Sequence, residues 1–179
     1  MRSKKSAKIL LFEFLENSFK RLVLEKRKDQ KMALANCIKS HIKYMVGLEP
    51  QSTKVLVQNF VPEIQEELIA ALSDDEELQL EYLEGIINDD ERAQMKMKLS
   101  ENSILRFVDL MAKNKPEQLL EALKKNSRFP IEDSLKICEK YEVYDCMEYL
   151  YERTGDIKKS VKIAALRIDR ILKTRNDYE

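Results

Sequence analysis

Cys37 and His41 stand four residues apart in a helical stretch, which puts a thiol and an imidazole on one face. That pair is half of a zinc site. Structural zinc takes four ligands, no second pair accompanies this one, and Cys138 and Cys146 match poorly in spacing. His41 is the only histidine of the chain, and no oxyanion-stabilising loop is apparent, so a Cys-His nucleophile is equally unsupported. The pair reads as a core cysteine beside a half-exposed histidine. Glu76, Glu77, Glu81 and Glu84 could be drawn as a metal or acid–base cluster. The di-iron pattern needs Glu-x-x-His pairs, which do not occur, so the four read as a solvated acidic face. Three isolated glycines cannot cradle a phosphate, and no Walker A, GxGxxG or GxSxG motif is present. No enzyme is expected, with no catalytic residue, bound metal or cofactor.

A third chemistry rests on Arg2, Lys4, Lys5, Lys8, Lys20, Arg21, Lys26, Arg27, Lys28 and Lys31, a basic cluster of the kind that meets phosphates. No aromatic platform interleaves these residues, so a protein-facing or solvated surface is the better reading. Membrane-surface binding by the first helix fails similarly, because its many apolar positions suit packing against a second helix. Net charge is zero but uneven: 12 Lys/Arg against 5 Asp/Glu in residues 1–50, and 4 against 13 in residues 51–101. A basic end beside an acidic middle can steer different partners, although exposed helices ordinarily carry such bias.

The elements that position these residues are helical. Gly 3, Pro 4 and no Trp, with 44% apolar and 36% charged residues, describe an all-α chain with enough apolar content for a core. No apolar run approaches the ~20 residues that span a bilayer. The basic N-terminus lacks a small-residue cleavage site, which argues against a secretory signal. Three cysteines inside helical patterns look like reduced, buried thiols of an intracellular protein.

Ile9, Leu10, Phe12, Leu15, Phe19, Leu22 and Val23 predict a first helix over Lys5 to Lys26, and residues 25–31 a turn. A second helix carries Leu34, Ile38, Ile42, Met45 and Val46, with Gly47 at its end and Pro50 just beyond. Ser52 or Thr53 caps a short helix through Phe60, and Pro62 opens the next. Residues 73–77 read as a capping signature ahead of Leu78, Tyr82, Leu83, Ile86 and Ile87. The segment Arg92 to Ser100 is weakly amphipathic. Ser103, Pro116 and Pro130 introduce three further helices, and Ile157 to Leu172 furnish the last. From Ser103 onward the rhythm is a helix of about 10–14 residues and a short loop, which matches antiparallel helix pairs of an α-solenoid. The expected organisation is a basic helical pair over 1–50, an acidic helical segment over 51–101 and repeat-like pairs over 102–179, all one solenoid.

Between the last two helices lies Thr154-Gly155-Asp156. Glycine takes the left-handed conformation after a final helical turn at least cost, and Asp156 can cap the next helix. Leu135, Ile137 or Cys138, and Tyr141 form one inner stripe. Met147, Leu150 and Tyr151 form that of the neighbour, while Glu152 and Arg153 occupy the last turn, where Arg153 favours the negative dipole end.

The phrase from Leu135 to Asp145, followed by Tyr149-Leu150-Tyr151-Glu152-Arg153-Thr154-Gly155-Asp156, resembles the clathrin heavy-chain repeat. With Glu77 to Ile87 the likeness extends over roughly residues 60–172. It is then similar to the helical region of the large vacuolar-sorting subunits specific to the CORVET endosomal tether. The resemblance implies a clathrin-repeat-like superhelix acting as a non-catalytic scaffold, with other class C vacuolar-sorting subunits as protein partners. It implies a cytoplasmic location, peripheral on endosomal or vacuolar membranes. Its structural motif residues would be Leu135, Cys138, Tyr141, Leu150, Tyr151, Glu152, Arg153, Gly155 and Asp156. Such subunits place a β-propeller before the solenoid and a RING-type zinc module after it. Neither pattern occurs here, so the chain reads as an internal fragment or a reduced relative. A helical adaptor from clathrin heavy chain or a HOPS-type subunit is the alternative, and a basic nucleic-acid binder the third.

Overall fold

The computed structural model describes residues 7–88, 99–126 and 128–176. Among them lie eleven α-helices, one 3-10 turn and no strand, an all-α fold of the solenoid, TPR-like kind. The helices are α1 (Ala7–Leu24), α2 (Lys28–Ser40), α3 (Ile42–Leu48), α4 (Pro50–Phe60), α5 (Gln65–Ala71) and α6 (Glu76–Ile87). They continue as α7 (Glu101–Asn114), α8 (Pro116–Lys125), α9 (Ile131–Lys140), α10 (Tyr144–Arg153) and α11 (Ile157–Asn176). The chain divides into two compact units, Met1–Ser100 and Glu101–Glu179.

In the first unit, α1 packs on α2 and α4, and α3 on α4, α5 and α6. Phe19 of α1 is fully buried and stacks on Phe60 of α4, with ring centroids 5.3 Å apart. Of the seven apolar positions expected to line α1, only Leu15 and Phe19 are buried, and Ile9, Leu10 and Val23 are exposed. The expected turn over 25–31 is shorter. It closes at Lys26, which has φ 56, and α2 begins at Lys28.

The single helix expected through Val46 is two helices. Ser40 Oγ donates to the Asn36 carbonyl at 3.0 Å, and the His41 ring Nδ1 bonds the Cys37 carbonyl at 2.9 Å. The His41 ring thus occupies the carbonyl that its own N–H would take in a helix, that N–H turns to Ile38, and the helix breaks at His41. Gly47 stands in the last turn of α3, one residue before its end, and Pro50 occupies the first turn of α4 behind Glu49. Thr53 is not a cap: its buried hydroxyl lies 2.9 Å from both the Met45 and Glu49 carbonyls. Pro62 opens a 3-10 turn that runs into α5, a site where its missing N–H has no ladder partner to lose. The cap of α6 is Asp75, not Ser73, and its carboxylate accepts from Leu78 N–H at 3.2 Å. Most of the segment expected over Arg92 to Ser100 lies outside the described residues.

Charge asymmetry has a structural outlet. Lys8 pairs with Glu49 at 2.7 Å and Lys31 with Glu63 at 3.1 Å, while Lys39 meets Glu67 and Lys43 meets Asp74. Three lysines of the basic first fifty residues thus meet acids of residues 63–74 in this same unit. Each pair is exposed and contributes about 0–1 kcal/mol, so their effect is on the surface field. Lys20, Arg21 and Arg27 also pair with Glu16 or Glu25, and Arg2, Lys4 and Lys5 of the basic cluster lie outside the described residues.

In the second unit each helix packs on its successor or the next but one: α7 on α8 and α9, α8 on α10, α9 on α10, and α10 on α11. That is the contact pattern of stacked helix pairs. Phe107, Val108, Leu110, Leu119, Leu123, Cys138 and Leu150 form its fully enclosed centre, with the Phe129 ring 6.1 Å from that of Phe107. Ser103, expected as a cap, is buried within α7, which starts at Glu101. Pro116 stands in the first turn of α8, whereas Pro130 precedes α9 as its N-cap.

Candidate interaction surface

Helices α9, α10 and α11 begin at residues 131, 144 and 157, thirteen residues apart, so a helix of about ten residues and a three-residue linker repeat. One set of positions a period apart shares an environment: Ser134, Met147 and Ser160 are all buried. Small Ser134 and Ser160 flanking a larger Met147 suit close helix approach. Comparing the sequence with itself at this period is the signal that would have found Ser134 and Ser160, which the helical pattern alone passes over.

Both linkers close the same way. After α9, Tyr141 remains near-helical, Glu142 has φ 55, and Val143 N–H reaches back to the Cys138 carbonyl at 2.9 Å. After α10, Thr154 remains helical, Gly155 has φ 76, and Asp156 N–H reaches the Tyr151 carbonyl at 3.0 Å. These are six-to-one closures that satisfy the last free carbonyls of each helix. Asp156 then accepts from Lys159 N–H at 3.1 Å at the start of α11. That bond holds its carboxyl below the usual carboxylate range.

The motif residues divide into two groups. Cys138 and Leu150 are fully enclosed, Tyr151 is buried, and Leu135 and Tyr141 are half-buried. Cys138 meets Cys146 where α9 packs on α10. That hydrogen bond, together with burial, pushes the Cys146 thiol far up and keeps it protonated. Tyr151 donates its hydroxyl to Glu139 at 2.9 Å, a bond from α10 to α9. Burial and that carboxylate raise the Tyr151 hydroxyl. Glu152, Arg153 and Gly155 are exposed. The Arg153 guanidinium lies 5.9 Å from the Tyr149 ring centroid, and Lys124 of α8 lies 5.7 Å from it.

Two surfaces have the shape of binding sites. In the first unit, α1 and α4 enclose a groove of about 350 Å³ floored by Ile9, Phe12, Val55 and Phe60, with the Lys8–Glu49 ion pair at its rim. In the second unit, α11 buries Ser160 against its neighbours and leaves Ile157, Val161, Ile168, Ile171 and Leu172 exposed. The structure shows α11 using one narrow face for packing and presenting the adjoining apolar face outward.

Cys37 is exposed rather than core, and its sulfur is 4.0 Å from His41 Nδ1. A carbonyl can only accept, so the bond to the Cys37 carbonyl fixes the His41 proton on Nδ1 and turns the ring toward its own helix. Among the described residues no three His, Cys, Asp or Glu side chains gather as a metal site would require, and no helix is long and apolar enough to cross a membrane.

Comparison with known proteins agrees with this architecture. The Vacuolar protein sorting-associated protein 8 homolog of Mus musculus is 22% identical over 131 residues, covering 72% of this chain and 9% of that protein. The chain thus spans under a tenth of the length of the curated relative it matches. No solved structure matches it. The family model of the Vps41 TPR-like region matches residues 11–174, nearly the whole chain, and the chain belongs to that family.

Proposed function

We propose that this chain is a non-catalytic scaffold segment of a vacuolar or endosomal tethering complex, holding other subunits through its helical faces. The observation that carries this reading is the family match over residues 11–174, laid on a fold of stacked helix pairs. Such stacks supply long, rigid surfaces, and their stability is a sum over neighbouring units rather than the property of one pocket. The name of the mouse relative supports a role in vacuolar protein sorting. The finer reading is a clathrin-type repeat belonging to a CORVET-specific subunit, with class C sorting subunits as partners and a peripheral place on endosomal or vacuolar membranes. It rests on the motif Tyr149 to Asp156, whose inner residues join α9 to α10 and whose Gly155-Asp156 turn starts α11.

The test is capture of the other tether subunits by the tagged full-length protein, with and without residues 11–174. Deletion is expected to abolish capture and endosomal recruitment together. Assembly that survives the deletion intact removes the scaffold role.

A further inference from the structure

We infer that Ser73 is a phosphorylation site, taking the γ-phosphoryl group of ATP from a serine kinase that reads acidic residues downstream of its target. The site stands independently of the scaffold reading. A phosphoacceptor hydroxyl must reach solvent and be free to give up its proton. Among the described residues the other hydroxyls fall short. Thr53, Ser103, Ser134 and Ser160 are buried. Ser18, Ser40 and Thr154 donate to backbone carbonyls, and Ser100 donates to Glu66. Ser52 is half-buried in the first turn of α4. Ser73 is exposed and lies in the loop between α5 and α6, and its hydroxyl has no hydrogen-bond partner among the described residues.

Charge selects the kinase. Ser73 is followed by Asp74, Asp75, Glu76 and Glu77, and residues 65–72 ahead of it hold no Lys or Arg. A kinase that reads cations before the serine finds none. One whose substrate groove carries Lys and Arg beyond the acceptor finds four carboxylates in succession. Asp74 and Glu77 are exposed, and Asp75 and Glu76 are half-buried. The loop is lightly held: Asp75 accepts from Leu78 N–H at 3.2 Å, Asp74 meets Lys43 in an exposed pair, and the Ser73 N–H reaches the Ala70 carbonyl at 3.1 Å. Fitting it to a kinase therefore opens one turn and one cap at the surface. In the transfer, Ser73 Oγ attacks the γ-phosphorus and the bond to the β-phosphate oxygen breaks. ADP leaves, and the hydroxyl proton passes to the kinase's catalytic carboxylate. The product carries roughly two negative charges ahead of the α6 N-terminus, where the helix dipole favours them.

The test incubates the full chain with ATP and either casein kinase 2, which reads downstream acids, or protein kinase A, which reads upstream cations. Casein kinase 2 is expected to add a phosphate, about 80 Da, to the peptide that contains Ser73, and protein kinase A to leave that peptide unmodified. Ser73→Ala should remove the phosphate while far-UV circular dichroism stays unchanged. Asp74→Asn with Glu76→Gln should slow its addition about ten-fold. The same phosphopeptide is expected in the protein isolated from its own cells with phosphatases inhibited. A folded chain left unmodified while a synthetic peptide of residues 68–80 is phosphorylated overturns the inference, because the loop then withholds Ser73. So does incorporation that survives Ser73→Ala, a rate that the acid substitutions leave unchanged, or absence of the phosphopeptide from cells.

Discussion

The turns after α9 and α10 trace almost one backbone path with different residues. At Gly155 the left-handed position is filled by the residue that tolerates it best, and a Cβ placed there would touch nothing within 4 Å. At Glu142 the same conformation is held by a residue with a Cβ, at a cost of roughly 1–2 kcal/mol. The next residue along also differs between the two turns. Val143 is buried, so the first linker is held by packing, whereas Asp156 holds the second by capping α11. One geometry is therefore reached by two routes, one local and one dependent on neighbours.

The sharpest way to break this comparison is to loosen the helix both turns share. Leu150→Ala removes a fully enclosed side chain from α10 and is expected to cost about 3 kcal/mol in urea unfolding of the chain. A loss below about 1 kcal/mol would mean that α10 does not anchor the two linkers. Gly155→Val comes next, at more than ~1 kcal/mol, because a β-branched residue is poorly accommodated in the left-handed region. An unchanged melting temperature would remove that conformation from position 155. Glu142→Gly should run the other way, raising stability by about 0.5 kcal/mol once the entropy of a freer unfolded chain is subtracted. Its ion pair with Arg170, 2.7 Å long and exposed, subtracts little from the gain. A clear loss there would show that Glu142 contributes contacts outweighing its backbone strain.

The smallest effect concerns pH. The Asp156 carboxyl is lowered mainly by the Lys159 N–H bond, so it contributes stability above the ordinary carboxylate value of about 3.9. That contribution fades as pH falls through the lowered value. Unfolding of wild type and Asp156→Asn, compared near neutral pH and near pH 2, should show a gap that closes in acid. A gap of constant size would mean that capping by the charged form is not what Asp156 supplies.

These turns also mark what was readable in advance. The all-α, paired-helix architecture follows from scarce breakers and helical spacing, and Gly155 announces its turn by type. Glu142 and Lys26 announce nothing, because a left-handed residue with a side chain is set by the closure around it. The break at His41 was hidden for the same reason: Ser40 and His41 end a helix by bonds back to Asn36 and Cys37 that no spacing encodes. Thr53 and Ser103 misled as caps because small hydroxyl residues also fill tight buried places. Periodicity showed which side of α11 is apolar, but not that the neighbouring helix covers only the strip at Ser160. The uneven charge shows in the sequence, but not that folding brings lysines of α2 and α3 beside acids of residues 63–74.

One buried cation in the first unit bears on how this family can vary. Lys54 of α4 is nearly enclosed, and its Nζ donates to the Gly85 carbonyl at 3.0 Å, near the negative end of the α6 dipole. Its own side chain lies 3.6 Å from where a Cβ at position 85 would stand, with Gln51 at 3.5 Å. A Cβ alone would stand there in ordinary van der Waals contact, so it is a side chain larger than alanine at 85 that would compete with the Lys54 stem for the same space. Across relatives these positions are expected to covary, with a bulkier residue at 85 accompanied by a shorter or uncharged one at 54.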